Sequence, residues 1–326
     1  MAFIGGGIAV KLSEISKRLK LQVKGNPNHE VTRISPPEGA DATSLCVIWD
    51  KDVMMKLPPE VAIIAPEEYF SPSRDGLIAD KPRAMLPELL SLFSPTQAIQ
   101  TGIHPKAEVS PTAKISPNAY ISALSYIGDN SVIGSWTIIE PNAVIMSNVK
   151  VGERCIIHSG AVIGTDGFGI ERTPQGLVKI PQTGGVTIGD EVEIGACTTI
   201  DRGTMKDTVI GSGTKIDNHV QVGHNVSIGR NCIICSMSGI AGSTIIEDNV
   251  TISVQAGVTD HVRIGANTII AGRTGVTNDI PSGSVVSGFP ARPHNEAKRA
   301  LVLSADLPSL YKRMRMLEKK LEAMQK

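Results

Sequence analysis

The chain has 326 residues, enough for two or three structural units. Lysine plus arginine balance aspartate plus glutamate at 32 each, which argues against a general nucleic-acid binder, and no apolar run approaches the length of a membrane span. Only 3% of residues are aromatic while glycine and β-branched residues abound, so the expected core is a stack of aliphatic ladders. The opening Met1-Ala2-Phe3-Ile4-Gly5 lacks a basic stretch followed by a long apolar one, so no signal peptide and a cytoplasmic location are expected. The 5 cysteines are an odd number and read as reduced core or corner residues. Cys232 and Cys235 form a C-x-x-C with no second pair, which suits ordinary structural positions better than a redox or zinc pair.

Residues 1–100 read as a small α/β cap domain. A helix is predicted over 11–20, with Leu12, Ile15 and Leu19 on one side and Ser13 as its cap. Strand-like runs follow at 45–48 and 61–64, and a second helix at 87–93. Ser94-Pro95-Thr96 suits a hinge.

From Ile103 to Ile163 every sixth residue is Ile or Val; the beat resumes at Ile188, Ile194 and Ile200, then runs from Ile210 through Val276. A period of six fits neither a lone helix nor a simple strand. It predicts a mainly β fold, a left-handed parallel β-helix over 101–288, in which three hexapeptides close one triangular coil. Glycines after the inward residue, as in Ile127-Gly128 and Ile133-Gly134, are expected to make the tight corners. Residues 18 apart should then stack one coil above the other, about 4.8 Å apart.

Two breaks interrupt the beat. The excursion at 166–185 contains Gly167-Phe168-Gly169, and a loop of that length leaving a rigid solenoid is usually functional. A smaller bulge at 202–207 shifts the beat by four residues. Beyond Val276, Pro281, Pro290 and Pro293 end the coils, and 289–326 forms a C-terminal α-helical tail. There Leu307, Leu310, Met314, Leu317, Leu321 and Met324 make a heptad seam, which calls for packing against the tails of other subunits, three around an axis, with docking on the chain's own coils as the alternative.

Of the 7 histidines, His224 and His261 lie near one edge two coils apart, with Gly242 stacked between them at 224 plus 18. Such a column suits acyl transfer. A neutral imidazole takes a proton from an incoming amine or hydroxyl, and a main-chain N–H holds the oxyanion. Asp217, seven residues before His224 and near the adjoining edge, is placed to orient the ring or compensate its charge where an edge-to-edge contact between subunits or neighbouring faces brings it close. A zinc hydratase competes, because His219-x-x-x-x-His224 resembles the histidine pair of the γ-class carbonic anhydrases. Against it, Thr183 stands where the third ligand of that class belongs, and His261 lies on the wrong side of the pair.

Longer strings carry a more specific likeness. They are Gly164-Thr-Asp-Gly-Phe-Gly169, Lys179-Ile-Pro-Gln182, Ile188-Gly-Asp-Glu-Val-Glu-Ile-Gly-Ala196, Thr198-Thr-Ile-Asp-Arg-Gly203, Ile216-Asp-Asn-His-Val-Gln-Val-Gly-His-Asn225 and Ser287-Gly-Phe-Pro290. With them, residues 103–326 resemble the UDP-3-O-acylglucosamine N-acyltransferases of lipid A biosynthesis. The resemblance implies transfer of a 3-hydroxyacyl chain from acyl carrier protein to the 2-amine of UDP-3-O-(3-hydroxyacyl)glucosamine, by a homotrimer that needs no metal or other cofactor. It implies His224 as general base, Gly242 as oxyanion donor and His261 as a substrate contact. It also assigns Asp217, Asn218, Gln221 and Phe168 to substrate binding. The family's uridine pattern Phe-x-x-Asn-Pro-Lys-Tyr is replaced here by Leu45-Cys-Val-Ile-Trp-Asp-Lys-Asp52, which leaves Trp49 either to stack on uracil or to fill the cap domain's core, and Lys51 to meet a phosphate. Arg292, Lys298 and Arg299 belong to a basic tail suited to the acidic carrier protein. The rivals are O-acyl transfer to UDP-N-acetylglucosamine, the zinc hydratase and a non-catalytic scaffold.

Overall fold

The computed structural model describes residues 9–93, 100–288 and 294–324. The chain divides into two compact units, Met1–Ile99 and Gln100–Lys326. Arg292 and the Ser94-Pro95-Thr96 hinge fall outside the described residues.

In the first unit a five-stranded sheet has Ala62–Ala65 at its centre, between Gly76–Ile78 and Ser44–Val47. Every residue of Ser44–Val47 and of Ala62–Ala65 is buried, as a continuous apolar run in a parallel sheet should be. Helix α1 (Leu12–Leu19) turns Leu12, Ile15 and Leu19 into the core it shares with Leu89 of a later helix. Ser13 does not cap α1. The N-cap is Lys11 without a side-chain bond, and the free N–H groups of Leu12 and Ser13 are taken by His29 O and Pro27 O, each at 3.0 Å. A short α2 (Lys51–Met54), capped by Asp50, had no periodicity to reveal it. Helix α3 (Leu86–Phe93) lies where 87–93 was expected.

The second unit is a β-solenoid of three parallel sheets with 8, 10 and 9 strands. Register follows the ruler: Ile115 pairs with Ile133 and Ile121 with Ile139, steps of 18. Across the excursion Ile157 pairs with Ile194, a step of 37, and across the small bulge Ile194 pairs with Ile216, a step of 22. The inward Ile and Val residues from Ile121 through Val276 form one continuous buried cluster. Ile103 departs from the expectation at 50% exposed, because its strand ends its sheet and no earlier coil closes over it.

The corners differ from the glycine expectation. The left-handed residue stands three places after most inward ones, as at Asn130, Asn142, Asn225, Asn249, His261 and Asn267, with φ between 57° and 62°. Asparagine tolerates that conformation better than most side chains. The glycines serve another purpose. Gly134, Gly152, Gly189, Gly211, Gly229 and Gly265 follow the inward residues of the eight-stranded sheet, and a Cβ on Gly134 would lie 2.4 Å from Gly152 O of the next coil. They let main chain stack on main chain.

Within the excursion, Ile170–Thr173 and Gly176–Lys179 form an antiparallel hairpin with largely exposed side chains. Helix α4 (His294–Met324) begins well before the predicted seam and contains Pro308. Its side chains are described from Leu303 to Met324 and all are exposed, so the seam is not docked on the chain's own coils. No helix among the described residues is long and apolar enough to cross a membrane.

Candidate active site

His224 stands two places after the buried Val222 and just before the left-handed corner residue Asn225. Its half-buried imidazole is sandwiched between two glycines. A Cβ on Gly167 would lie 2.5 Å from the His224 Cβ, and one on Gly242 would lie 2.6 Å from Nε2. Only glycine at both places leaves room for the ring. Gly242 comes from the next coil, as the step of 18 requires, and Gly167 is brought over by the excursion. Among the described residues the Gly242 N–H has no acceptor and His224 Nε2 no partner.

The other ring nitrogen is tied down. His224 Nδ1 lies 2.9 Å from Asn225 Nδ2 and 3.4 Å from Thr204 Oγ1. Thr204 donates its main-chain N–H to Asn225 Oδ1 at 2.8 Å and its hydroxyl to Gln182 Oε1 at 2.9 Å. Gln182 is buried and donates from Nε2 to Ile180 O at 3.0 Å. One buried network thus joins the excursion, the small bulge and the histidine.

A carboxylate completes the surroundings. Asp201 is 8% exposed and accepts from Thr165 Oγ1 at 2.9 Å and Gln221 Nε2 at 3.0 Å. Burial pushes its carboxyl above the usual range, against those hydrogen bonds and the charge of His224. Beside it Arg202 donates to Gly164 O at 2.7 Å and Ser147 O at 3.1 Å and approaches Asp166 at 3.8 Å; Asp166 also pairs with Lys179. The result is an imidazole with a free nitrogen beside a free main-chain amide, and a buried carboxylate that feels the ring's charge. Such a set can shuttle a proton and hold a developing oxyanion.

The other predicted residues fall in several places. His261 lies on the next coil, where its N–H donates to Gly242 O at 3.2 Å and its exposed ring pairs through Nδ1 with Asp260 at 3.0 Å. Gln221 reaches the site through Asp201 and also bonds Thr199. Within the single chain Asp217 makes no bond to the ring among the described residues. Its carboxylate accepts from the N–H of Asn218 at 2.7 Å and of Ser236 at 3.0 Å, so it braces a corner. Asn218 braces the coil below by accepting from Ala196 N at 2.7 Å. Both line a polar recess with Glu140, His158 and Glu193, apart from the His224 network. Phe168 is 87% exposed at the base of the excursion.

In the first unit Trp49 is exposed, and the Arg83 guanidinium stacks 5.7 Å from its ring centre. Lys51 opens α2 and is exposed. Lys298 and Arg299 lie in α4, with side chains outside the described residues. The Thr183 hydroxyl is bound to Thr204 O at 2.9 Å, and no group of three or more His, Cys, Asp or Glu among the described residues is arranged to hold a metal. All five cysteines are free thiols.

Sequence reasoning missed Gly167, Gln182, Asp201, Thr204 and Asn225. Four of them stand in the strings 164–169, 179–182, 198–203 and 216–225, but nothing in those strings tied their side chains to the His224 ring.

The model of the bacterial transferase hexapeptide (six repeats) matches residues 137–165 and 207–242. A protein of Methylorubrum populi named UDP-3-O-acylglucosamine N-acyltransferase is 50% identical over 148 residues, which is 45% of this chain and only 42% of that relative's length. A protein of Gloeobacter violaceus named UDP-3-O-acylglucosamine N-acyltransferase 1 is 35% identical over 341 residues and covers 98% of both chains. Among solved structures, the UDP-N-acetylglucosamine O-acyltransferase of Moraxella catarrhalis superposes with a TM-score of 0.54 at 28% identity, over 59% of this chain and 73% of that one.

Proposed function

We infer the activity from one premise: the chain belongs to the UDP-3-O-acylglucosamine N-acyltransferase family. It moves a 3-hydroxyacyl chain from the thioester of acyl carrier protein to the 2-amine of UDP-3-O-(3-hydroxyacyl)glucosamine. The amine nitrogen attacks the thioester carbonyl and the N–C bond forms. Its proton passes to His224 Nε2, and the oxyanion sits at the Gly242 N–H. Collapse of the intermediate breaks the C–S bond, the imidazolium returns its proton to the departing thiolate, and an amide and a free thiol remain. The observation that carries this reading is the seat of the His224 ring on Gly242, with Nε2 and a main-chain N–H both unpartnered among the described residues.

The choice of nitrogen over oxygen as acceptor rests on the relative that matches over 98% of the chain, since the structural neighbour named for O-acyl transfer covers less of it. The carrier protein as donor is supported by the basic excess of residues 296–326, eight Lys or Arg against four acids. Trimeric assembly is supported by the exposed heptad seam of α4. In the first unit, Arg83 covers one face of Trp49, so the uracil would take the other and Lys51 a phosphate. The reading carries with it a cytoplasmic location.

The test is mass spectrometry of products from 3-hydroxyacyl carrier protein and UDP-3-O-acylglucosamine. One added acyl group on the sugar nucleotide is expected. No mass gain, or acylation of UDP-N-acetylglucosamine in its place, would overturn the assignment.

A further inference from the structure

The amide of Asn225 has one possible orientation. Its Oδ1 receives the Thr204 main-chain N–H at 2.8 Å, and a main-chain N–H can only donate. The amide nitrogen therefore faces the other way, 3.1 Å from Thr204 Oγ1 and 2.9 Å from His224 Nδ1. At Nδ1 the Thr204 hydroxyl oxygen can only accept, and at 3.4 Å it does so poorly. Its proton goes to Gln182 Oε1 at 2.9 Å, and the Gln182 amide is fixed in turn by its bond to Ile180 O. A proton on Nδ1 would point at an NH2 group, donor against donor. We propose that Asn225 is a positioning residue that holds the resting His224 ring as its Nε2–H tautomer and so gates the base.

This rests on the acyltransfer reading and deepens it. A ring protonated at Nε2 donates toward the groove and cannot take a proton there. To become a base it must lose that proton to solvent and gain one at Nδ1, which the Asn225 amide accepts only by turning over so that Oδ1 faces the ring. Turning puts Nδ2 against the Thr204 N–H, so the turned state is the minor one in the free protein. The network that resists the turn runs through Thr204 and Gln182 into the excursion at 166–185, so whatever moves that loop also moves the gate. A carboxylate at 225 would need no turn, because one oxygen would accept from Thr204 N–H and the other from Nδ1–H.

The experiment reads the ring directly, by long-range 1H–15N correlation on protein with 15N-labelled histidine. The His224 signal is assigned by its loss in His224→Gln. Wild type should show Nε2–H in the neutral ring, and Asn225→Asp should show Nδ1–H. An Nδ1–H wild type, or an unchanged pattern in Asn225→Asp, overturns the proposal. In kinetics, the carboxylate should move the acid limb of kcat/KM to higher pH, with Asp201, Asp166, Arg202 and Lys179 unchanged around it. Asn225→Leu, which can hold neither tautomer, should leave the acid limb where wild type has it. An acid limb that stays put in Asn225→Asp counts against the gate. An Nε2–H wild type that turns over no acylated UDP-glucosamine supports the ring assignment and counts against the acyltransfer reading instead.

Discussion

Gly242 tests the site with a single methyl group. In Gly242→Ala the new Cβ would fall 2.6 Å from His224 Nε2 and 2.8 Å from Cε1, so the ring must leave its seat. The residue has no left-handed φ, so the main chain accepts alanine and its N–H stays in place. We expect kcat to fall about a hundredfold or more, on the scale of losing one catalytic group, with little change in thermal midpoint. His224→Ala should cost a similar factor. Near wild-type turnover in either variant would remove the ring from the mechanism. This pair was legible in the sequence because an unbroken step of 18 separates 224 from 242. The other side of the ring was not. The bulge at 202–207 lengthens the step below His224 to 22, as Thr199 pairing with Gln221 shows, so a ruler of 18 points past Asp201 and Thr204. Gly167 reaches the ring, and Gln182 reaches Thr204, from a loop that obeys no period. Asp217 stands seven residues before His224, but within the single chain its carboxylate turns to Ser236, because nearness in sequence at a corner does not say which way a side chain points.

At the scale of the element, the six-residue beat fixed the coils and their register, because a buried branched residue at every side leaves no other pairing. It misled about the corners, since a sequence shows that glycine is small but not which contact demands it. Gly152→Ala would set a Cβ 2.6 Å from the carbonyl of Gly189 on the next coil and 2.5 Å from Asp190 Oδ1. Main chain cannot step aside as a flexible side chain can, so about 1–3 kcal/mol of stability should be lost. Gly239→Ala is the control, because nothing lies within 4 Å of its added Cβ. Thermal melts should separate the two, and equal midpoints would mean that the coils have more slack than their contacts indicate. In the first unit α1 and α3 were visible from apolar spacing, whereas the four-residue α2 and strands of two or three residues such as Arg33–Ile34 carry too few repeats to be read.

Across the whole molecule, His158 ties three coils together. Its Nδ1 meets Glu140 at 3.1 Å and its Nε2 meets Glu193 at 3.0 Å, and Lys215 approaches Glu193 at 3.8 Å. Burial opposes charge on the ring, but the hydrogen bonds and attraction of Glu193 and Glu140 outweigh it, and the pKa stands above the ordinary 6.5. A raised folded-state value makes the tie fully stabilising below the unfolded value and loses it as pH rises through the folded one. The melting temperature of wild type should therefore decline relative to His158→Gln as pH rises above the ordinary imidazole value of about 6.5. Parallel curves for the two proteins would rule out the linkage.

The same scale holds the question of α4, whose Leu307, Leu310, Met314, Leu317 and Leu321 are all exposed on the single chain. A lone helix with that seam in water frays quickly, because most helix stability comes from packing an apolar face. Three tails packed around one axis would instead bury it. The α4 amides from 303 to 324 should then resist hydrogen exchange for far longer than a solvated helix, and Leu310→Lys with Leu317→Lys should abolish that protection while leaving the coil amides slow. Fast exchange in wild type, at concentrations where the protein's mass is that of a trimer, would mean that the solenoid alone makes the assembly and that the seam has another occupant.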